Sequence, residues 1–274
     1  MQAYSNWLPP TGTLGRISAE ATIRAQALEP FRAQLESAIA GRPATDAFGA
    51  ALRASTGISV IAEVKRRSPS KGAIADALGA AQQAEAYRQG GAACVSILTE
   101  PAYFGGSNED LLDVRRQVDI PALKKDFHVA PIQLLEARAL GASAALIIVR
   151  ALSPTGLAEM MEAGRALNLE LLVEVRDEGE LERALDAGAT IVGVNNRDLE
   201  TLIIDGGTAE RIIPLIPVSV TAVAESGVAR REDVHRYADA GADAVLVGST
   251  LSASPDPVAA TRALAGVPRR SRAR

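Results

Sequence analysis

Residues 90–98 read GGAACVSIL, and a similar phrase returns three times along the chain. The other copies are LGASAALIIV at 140–149, AGATIVGV at 187–194 and AGADAVLVG at 240–248. Each copy predicts the glycine-containing end of a helix, a turn of small residues and then an aliphatic strand. Amphipathic stretches with helical periodicity lie between the copies, at 75–89, 131–140, 154–167, 178–187 and 230–240. Strands that alternate with helices predict a parallel sheet with right-handed crossovers.

The aliphatic runs give eight predicted strands, near 58–64, 93–98, 121–124, 144–149, 170–175, 190–194, 218–224 and 243–248. Eight such units favour a closed α/β fold, the (β/α)8 TIM barrel, over an open doubly wound sheet. The first strand is not followed by G-x-G-x-x-G, which weakens the dinucleotide-binding alternative. We therefore expect one barrel domain over residues 1–274, with an N-terminal helical extension at 1–50 and a disordered basic tail at 266–274.

The composition indicates a globular protein with 47% hydrophobic residues and a net charge of −4. The acidic balance argues against a nucleic-acid partner, and the longest apolar run is too short for a membrane span. The only cysteine, Cys94, lies in an apolar run and is expected to be a core residue. A single cysteine and no signal peptide suggest a reducing compartment, the cytoplasm. Two scattered histidines predict no metal site. We expect a monomer or a weak homo-oligomer.

Charged side chains stand where the odd-numbered predicted strands end, namely Glu63, Lys65, Lys125, Glu174 and Glu225. Taken singly, each is more often a solvated cap or an ion-pair partner. Odd strands contribute to the same interior layer of a barrel, however, and the carboxyl ends of the strands carry the chemistry in this fold. We therefore expect the five side chains to converge at one mouth, where opposite charges shift each other's pKa as acid–base catalysis requires.

The last two predicted strands are followed by small residues, Ser226-Gly227 and Gly248-Ser249. Small residues let backbone N–H groups approach an anion, and barrels often bind phosphate at these two loops. Glycines that only make tight turns are the simpler reading. Because both loops share the feature, and Lys65 would add positive charge, the sequence predicts a phosphorylated small substrate.

Other side chains at the predicted mouth suggest an aromatic, carboxylate-bearing substrate. Asn195 and Arg197 follow the sixth strand, and a guanidinium group suits a carboxylate. Phe104 and Phe127 are two of only four phenylalanines, and both are expected to flank the mouth. Simple loop packing is the alternative for the two rings.

Together these segments resemble the indole-3-glycerol-phosphate synthase family over roughly residues 50–265. The segments that carry the resemblance are VIAEVKRRSPSKG, ILTEPAYFGGS, LKKDF, LLVEV, VGVNNRDLETL, AESGV and LVGSTL. The resemblance implies a TIM barrel and a carboxy-lyase of tryptophan biosynthesis. Its substrate would be 1-(2-carboxyphenylamino)-1-deoxy-D-ribulose 5-phosphate, converted by ring closure, decarboxylation and dehydration to indole-3-glycerol phosphate. It implies neither a metal nor an organic cofactor.

The resemblance also implies roles for individual residues. Lys125 resembles the general acid, Glu174 the base of the dehydration, and Lys65 a second acid near the phosphate. Glu63 resembles a positioning carboxylate and Asn195 the amide of the catalytic site. The residues implied in substrate binding are Ser68, Arg197, Glu225, Ser226 and Leu246, to which the placement argued above adds Phe104 and Phe127. Those implied in phosphate binding are Lys65, Gly227, Gly248 and Ser249. A lysine whose pKa is lowered by a neighbouring ammonium would be suited to proton donation. His128, after LKKDF, is expected to be a loop residue.

Two alternatives remain open at this point. Another phosphate-binding barrel, an Amadori-type isomerase, would need a cysteine and an aspartate at strand ends, whereas Cys94 is predicted within a strand. A catalytically silent barrel would bind the substrate without converting it. The intact set of acidic, basic and amide residues argues against such decay.

Overall fold

Eight parallel strands close into one barrel, in sequence order, with the first strand paired to both the second and the eighth. The computed structural model describes residues 7–41, 47–68, 72–73 and 79–272. The strands are Ser59–Val64 (β1), Cys94–Leu98 (β2), Ala122–Lys125 (β3), Ala144–Ile148 (β4), Glu170–Val175 (β5), Ile191–Asn195 (β6), Thr221–Glu225 (β7) and Ala244–Val247 (β8). Every strand overlaps an aliphatic run of the sequence, so the predicted (β/α)8 barrel is confirmed.

Helices surround the barrel, and the five predicted amphipathic stretches all form helices in their described parts. The helices are Gly12–Leu28 (α1), Arg32–Ile39 (α2), Phe48–Arg53 (α3), Ala80–Gln89 (α4), Pro101–Phe104 (α5), Asn108–Gln117 (α6), Pro131–Ala139 (α7), Pro154–Ala166 (α8), Glu178–Asp186 (α9), Gly207–Ile212 (α10), Arg231–Asp239 (α11), Ser249–Ser252 (α12) and Pro257–Leu264 (α13). Helix α6 was not predicted because only Leu111 and Val114 supply buried apolar side chains. A hydrogen bond from the Asp110 N–H to the Ser107 hydroxyl caps it.

The core consists of two layers separated by the barrel wall. Side chains that point outward, such as Val60, Val95 and Val173, pack beneath the surrounding helices. Side chains that point inward, such as Ile61 and Leu172, fill the barrel interior. Strands buried on both faces need aliphatic residues in both sets, which explains their continuous apolar runs.

The N-terminal extension contributes to both ends of the barrel. Helix α3 lies at the N-terminal end, where the Gly49 N–H donates to Glu170 at the start of β5 at 3.0 Å, and Phe48 packs in the interior cluster. Helix α1 lies at the opposite end, where Ile17 joins the same cluster and lines the mouth. The extension therefore closes the bottom of the barrel and covers part of its top.

The C-terminal segment differs from the predicted disordered tail over residues 266–272. Val267 is buried, and its carbonyl accepts a hydrogen bond from the Ile58 N–H at 2.7 Å. Arg269 and Arg272 each form an ion pair at 3.0 Å with Asp243. A run of basic residues is usually solvated, but here a carboxylate and backbone carbonyl groups near the strand starts accept hydrogen bonds from it.

Replacing Arg272 with glutamine is expected to lower the free energy of unfolding by about 2 kcal/mol, because Asp243 and the Val220 carbonyl lose a buried charged donor. Arg270→Gln is the matched control, since Arg270 pairs with Asp239 on the exposed surface and its loss should cost at most about 0.5 kcal/mol. Urea unfolding of both variants measures the difference. Equal midpoints would show that the segment is not anchored as described.

Candidate active site

One cleft opens at the carboxyl ends of the strands. The predicted site residues that line it are Glu63, Lys65, Phe104, Lys125, Phe127, Glu174, Asn195, Arg197, Glu225, Ser226, Gly227, Leu246, Gly248 and Ser249. The remaining predicted residue, Ser68, lies in a short strand, Arg67–Ser68, that pairs with Gly72–Ala73. The Ser68 side chain lies outside the described part of the structure, so its predicted contact stays a prediction.

Lys125, the last residue of β3, lies between two acidic side chains at the centre of the cleft. Its Nζ is 3.6 Å from Oε2 of Glu174 and 3.5 Å from Oε2 of Glu225. Asn195 at the end of β6 donates from Nδ2 to Oε1 of Glu174 at 2.9 Å, and its own Oδ1 accepts the Arg197 N–H at 2.9 Å. Four strand ends therefore hold an ammonium group, two carboxylates and an amide in one connected arrangement.

Burial and the neighbouring charges together set the direction of two pKa shifts in this group. Burial works against the Lys125 ammonium, but the carboxylates of Glu225, Glu174 and Glu63 outweigh it and raise the pKa of Lys125. Burial also raises the pKa of Glu225, and Glu174 and Glu63 add to the rise while Lys125 opposes it. Three carboxylates share the ammonium groups of Lys125 and Lys65, so Glu225 takes up a proton more readily than an exposed glutamate.

The expectation that a neighbouring ammonium lowers the pKa of Lys125 is therefore wrong. The groups within ion-pair distance of Lys125 are carboxylates. Lys124, the adjacent lysine, is on the opposite face of β3, where its Nζ is 3.3 Å from Asp126 and 3.1 Å from Glu136. Alternation along the strand separates the two ammonium groups, and Lys125 is held in its protonated form.

Lys65 and Glu63 lie at the end of β1, on the side of the cleft next to β8. Lys65 Nζ is 3.2 Å from Oε1 of Glu63 and 5.5 Å from the centre of the Phe104 ring. A Cβ atom at Gly248 would approach Oε1 of Glu63 to 2.3 Å. Glycine at the end of β8 therefore leaves the space that the Glu63 carboxylate occupies.

Two phenylalanines form an aromatic wall at one side of the cleft. The ring centres of Phe104 and Phe127 are 6.1 Å apart, with the planes tilted by 32°. Glu100 at the end of the β2 loop accepts hydrogen bonds from the backbone N–H groups of Ala102, Tyr103 and Phe104, which fixes the short helix that carries the first ring. The rings and Lys65 thus present an apolar surface with a cation at its edge.

The loops after β7 and β8 face the opposite side of the cleft. Ser226 and Gly227 adopt left-handed backbone conformations, with φ of 63° and 85°. Glycine suits the second position because an L-residue is strained there. Gly248 is followed directly by the short helix α12, whose first residue is Ser249. Small residues on both loops leave the backbone accessible from the cleft.

Asn196 holds the β7 loop in place and was not singled out from the sequence. Its Nδ2 is within hydrogen-bond distance of the carbonyls of Glu225 and Ser226, at 3.0 and 2.9 Å, and its Oδ1 accepts the Ala209 N–H. The side chain is fully buried. The one available signal was a second asparagine directly after Asn195, in a segment otherwise attributed to substrate contact.

The cysteine and the histidines lie away from the cleft. Cys94 is buried at the start of β2, where burial raises the pKa of its thiol, and the prediction of a core residue is confirmed. His128 follows β3 in a loop, as predicted, with Nδ1 2.8 Å from the Leu146 carbonyl. Burial and nearby Lys124 lower the pKa of His128 to about 4, so the ring is neutral near pH 7. In the described residues, no three His, Cys, Asp or Glu side chains are grouped to hold a metal ion.

Replacing Gly193 with alanine is expected to reduce kcat/KM by roughly tenfold to a hundredfold. A Cβ atom at this position in β6 would meet Oε1 of Glu225 at 2.0 Å, so the carboxylate and its contact with Lys125 must shift. Gly179→Ala in α9 is the matched control, because its nearest neighbour is 3.5 Å away and alanine favours a helix. Steady-state kinetics of both variants test the expectation, and an unimpaired Gly193→Ala would contradict it.

Comparison with known proteins gives one consistent family. The family model described as indole-3-glycerol phosphate synthase matches residues 16–264. A relative from Streptomyces coelicolor, named indole-3-glycerol phosphate synthase 1, is 53% identical and spans 81% of this chain and 82% of its own. A relative from Rhodococcus jostii, named indole-3-glycerol phosphate synthase, is 49% identical over 89% of this chain and 90% of its own.

Solved structures support the fold alone. The thiamine phosphate pyrophosphorylase of Pyrococcus furiosus matches with a TM-score of 0.56 at 16% identity, over 76% of this chain and 94% of its own. Each helix in the described residues is too short or too polar to cross a membrane. The match of the family model over most of the barrel, together with relatives near half identity, shows that the chain belongs to the indole-3-glycerol phosphate synthase family.

Proposed function

We propose that the chain is an indole-3-glycerol phosphate synthase, a carboxy-lyase of tryptophan biosynthesis. The observation that carries the proposal is Lys125, held between Glu174 and Glu225 in a cleft that has an aromatic wall on one side and small-residue loops on the other. The substrate, 1-(2-carboxyphenylamino)-1-deoxy-D-ribulose 5-phosphate, has an aromatic ring at one end and a phosphate at the other. The two sides of the cleft match these two ends.

Binding both ends of this flexible ketose brings the reacting carbons together. The phosphate is bound by the loops that carry Gly227, Gly248 and Ser249, with Lys65 adding positive charge. The aromatic ring of the substrate rests against Phe104 and Phe127, and Leu246 packs on the apolar wall of the cleft. Arg197 and Ser226 contact the polar groups of the substrate. Anchoring both ends holds the reacting atoms in the orientation that ring closure needs. Such orientation can remove a large part of the barrier in comparable reactions.

The chemistry then needs proton donors and acceptors. Lys125 protonates the ketose carbonyl oxygen while the ring carbon that carries the carboxylate attacks the carbonyl carbon. Loss of CO2 from that ring carbon follows. This loss restores the aromatic six-membered ring. Lys65 then protonates the hydroxyl, which leaves as water, and Glu174 removes a proton from the CH2 carbon next to the nitrogen, which forms the double bond of the five-membered ring. Glu63 positions Lys65, and Asn195 orients Glu174 through the 2.9 Å hydrogen bond. No cofactor takes part in these reaction steps.

The two alternatives gain no support. An isomerase that uses a cysteine acid would need the thiol at the mouth, whereas Cys94 is buried at the opposite end of β2. A silent barrel would not need Lys125, Glu174 and Asn195 held in contact. We further propose that the protein acts in the cytoplasm, as a monomer or weak homo-oligomer.

The direct test is incubation of the purified protein with the carboxyphenylamino-deoxyribulose phosphate in the presence of EDTA, followed by indole absorbance and fluorescence. We expect product to form at an undiminished rate with the chelator. Lys125→Ala is the matched negative control. Tight substrate binding without product would instead support the silent barrel, and neither binding nor product would favour the isomerase reading.

A further inference from the structure

Helix α1 presents one polar face to the loops that follow β2 and β3. Glu20 and Arg24 are four residues apart in α1, so their side chains lie on the same face. Glu20 Oε1 accepts a hydrogen bond from the Tyr103 hydroxyl at 3.0 Å. Arg24 binds Asp126 with both terminal nitrogens, at 2.8 and 3.1 Å. The extension therefore contacts both loops through side chains that the proposed reaction does not use.

The two contacts fall at equivalent points of the two loops. Tyr103 directly precedes Phe104, and Asp126 directly precedes Phe127. The two phenylalanine rings contact each other and form the aromatic wall of the cleft. One face of α1 thus binds the residue before each ring. A displacement of α1 would therefore change the positions of both phenylalanine rings.

Asp126 is the stronger of the two anchors. Its side chain is 2% exposed, and it accepts hydrogen bonds from the Thr99 hydroxyl at 2.7 Å and from the Phe127 N–H at 2.8 Å. Arg24 supplies the bidentate pair, a geometry that fixes orientation as well as charge. The carboxylate therefore connects α1 directly to the backbone of Phe127.

We propose that Glu20 and Arg24 are positioning residues that set the aromatic wall and thereby determine affinity for the aromatic end of the substrate. The inference rests on the proposed function and deepens it, because it assigns ring recognition in part to the N-terminal extension. Neither residue needs to touch the substrate. The phosphate loops after β7 and β8 lie on the other side of the cleft, so phosphate affinity does not depend on this face of α1.

Two small probes separate the two ends of the substrate. Anthranilate, a fluorescent aminobenzoate, reports on ring binding, and inorganic phosphate reports on the anion loops by calorimetry. Arg24→Gln is expected to weaken anthranilate binding about tenfold and to change phosphate binding by less than about twofold. Tyr103→Phe is expected to weaken anthranilate binding about threefold through loss of the Glu20 contact. In turnover, KM should rise more than kcat falls.

Arg32→Gln is the matched control, since it removes a surface ion pair with Glu29 in the same extension. If Arg24→Gln fails to fold, Arg24→Lys replaces it, because lysine keeps the charge but loses the two-pronged guanidinium contact; we expect weaker anthranilate binding with phosphate binding unchanged.

Unaltered anthranilate affinity in both the folded Arg24 variant and Tyr103→Phe would overturn the inference. So would equal losses for the two probes, or a parent protein that does not bind anthranilate. These titrations involve no turnover, so failure of the proposed reaction is seen separately in the parent's product assay.

Discussion

Lys125→Ala is expected to lower kcat by about three orders of magnitude while KM changes by only a few fold. General acid catalysis by a positioned side chain contributes about 10² to 10⁴ in rate, and Lys125 is the ammonium group at the centre of the cleft. We propose that the substrate's ring and phosphate bind at either side of Lys125, so most ground-state affinity should survive its loss. Steady-state kinetics, with indole fluorescence as the readout, measure both constants.

Loss of Lys125 also removes the positive charge between Glu174 and Glu225, and this second effect needs its own control. The double variant Lys125→Met with Glu225→Gln removes one ammonium and one carboxylate, which restores the local charge balance. We expect the double variant to regain thermal stability relative to Lys125→Met alone and to stay as inactive as the single variant. Recovery of turnover in the double variant would show that Lys125 acts by balancing charge and not by donating a proton.

The raised pKa of Lys125 has a consequence for the pH profile. Its folded-state pKa lies above the ordinary lysine value, so the ammonium form that we propose as the acid of ring closure is fully present at neutral pH. This form is lost only as the pH rises through the raised pKa. The same shift means that the Lys125 ion pairs contribute stability below the ordinary lysine pKa. The alkaline limb of a rate profile would therefore report on another group before Lys125.

The fold was predictable because its strands are buried on both faces. Ala144–Ile148 and Ile191–Asn195, for example, read as short aliphatic runs bounded by glycine-containing turns, and such runs are typical of parallel barrels. The convergence of Glu63, Lys125 and Glu174 was predictable for a related reason. Barrel geometry brings the carboxyl ends of all strands to one mouth, whatever the details of packing.

The features that could not be predicted from the sequence depend on contacts between residues that are distant along the chain. Arg24 and Asp126 are 102 residues apart, and neither position alone indicates the other. Arg272 finds Asp243 only because the C-terminal segment returns to the start of β8. The direction of the Lys125 pKa shift depended on which charges lie within 4 Å, and strand alternation sends Lys124 to the opposite face. Local patterns carry none of this information.

Ser249→Asp is expected to weaken binding of the phosphorylated substrate by about a hundredfold, seen as a higher KM. Ser249 lines the cleft beside Gly248, where we propose that the phosphate binds. A carboxylate about 4 Å from a phosphate charge costs up to about 4 kcal/mol at the effective dielectric of a protein surface, and part of this is screened by solvent. The kcat should fall far less than the affinity, because the side chains that we propose as acid and base stay in place.

A control must show that the effect of Ser249→Asp depends on where the new negative charge lies, and not only on its addition to the protein. Ala253→Asp adds the same charge at an exposed residue four positions further along, outside the cleft, and should leave KM within about twofold of the parent. Raising the ionic strength should recover part of the Ser249→Asp loss by screening, whereas a loss caused by misfolding would not recover. If both aspartate variants raised KM equally, long-range charge would explain the effect, and the phosphate would have to bind away from the β8 loop.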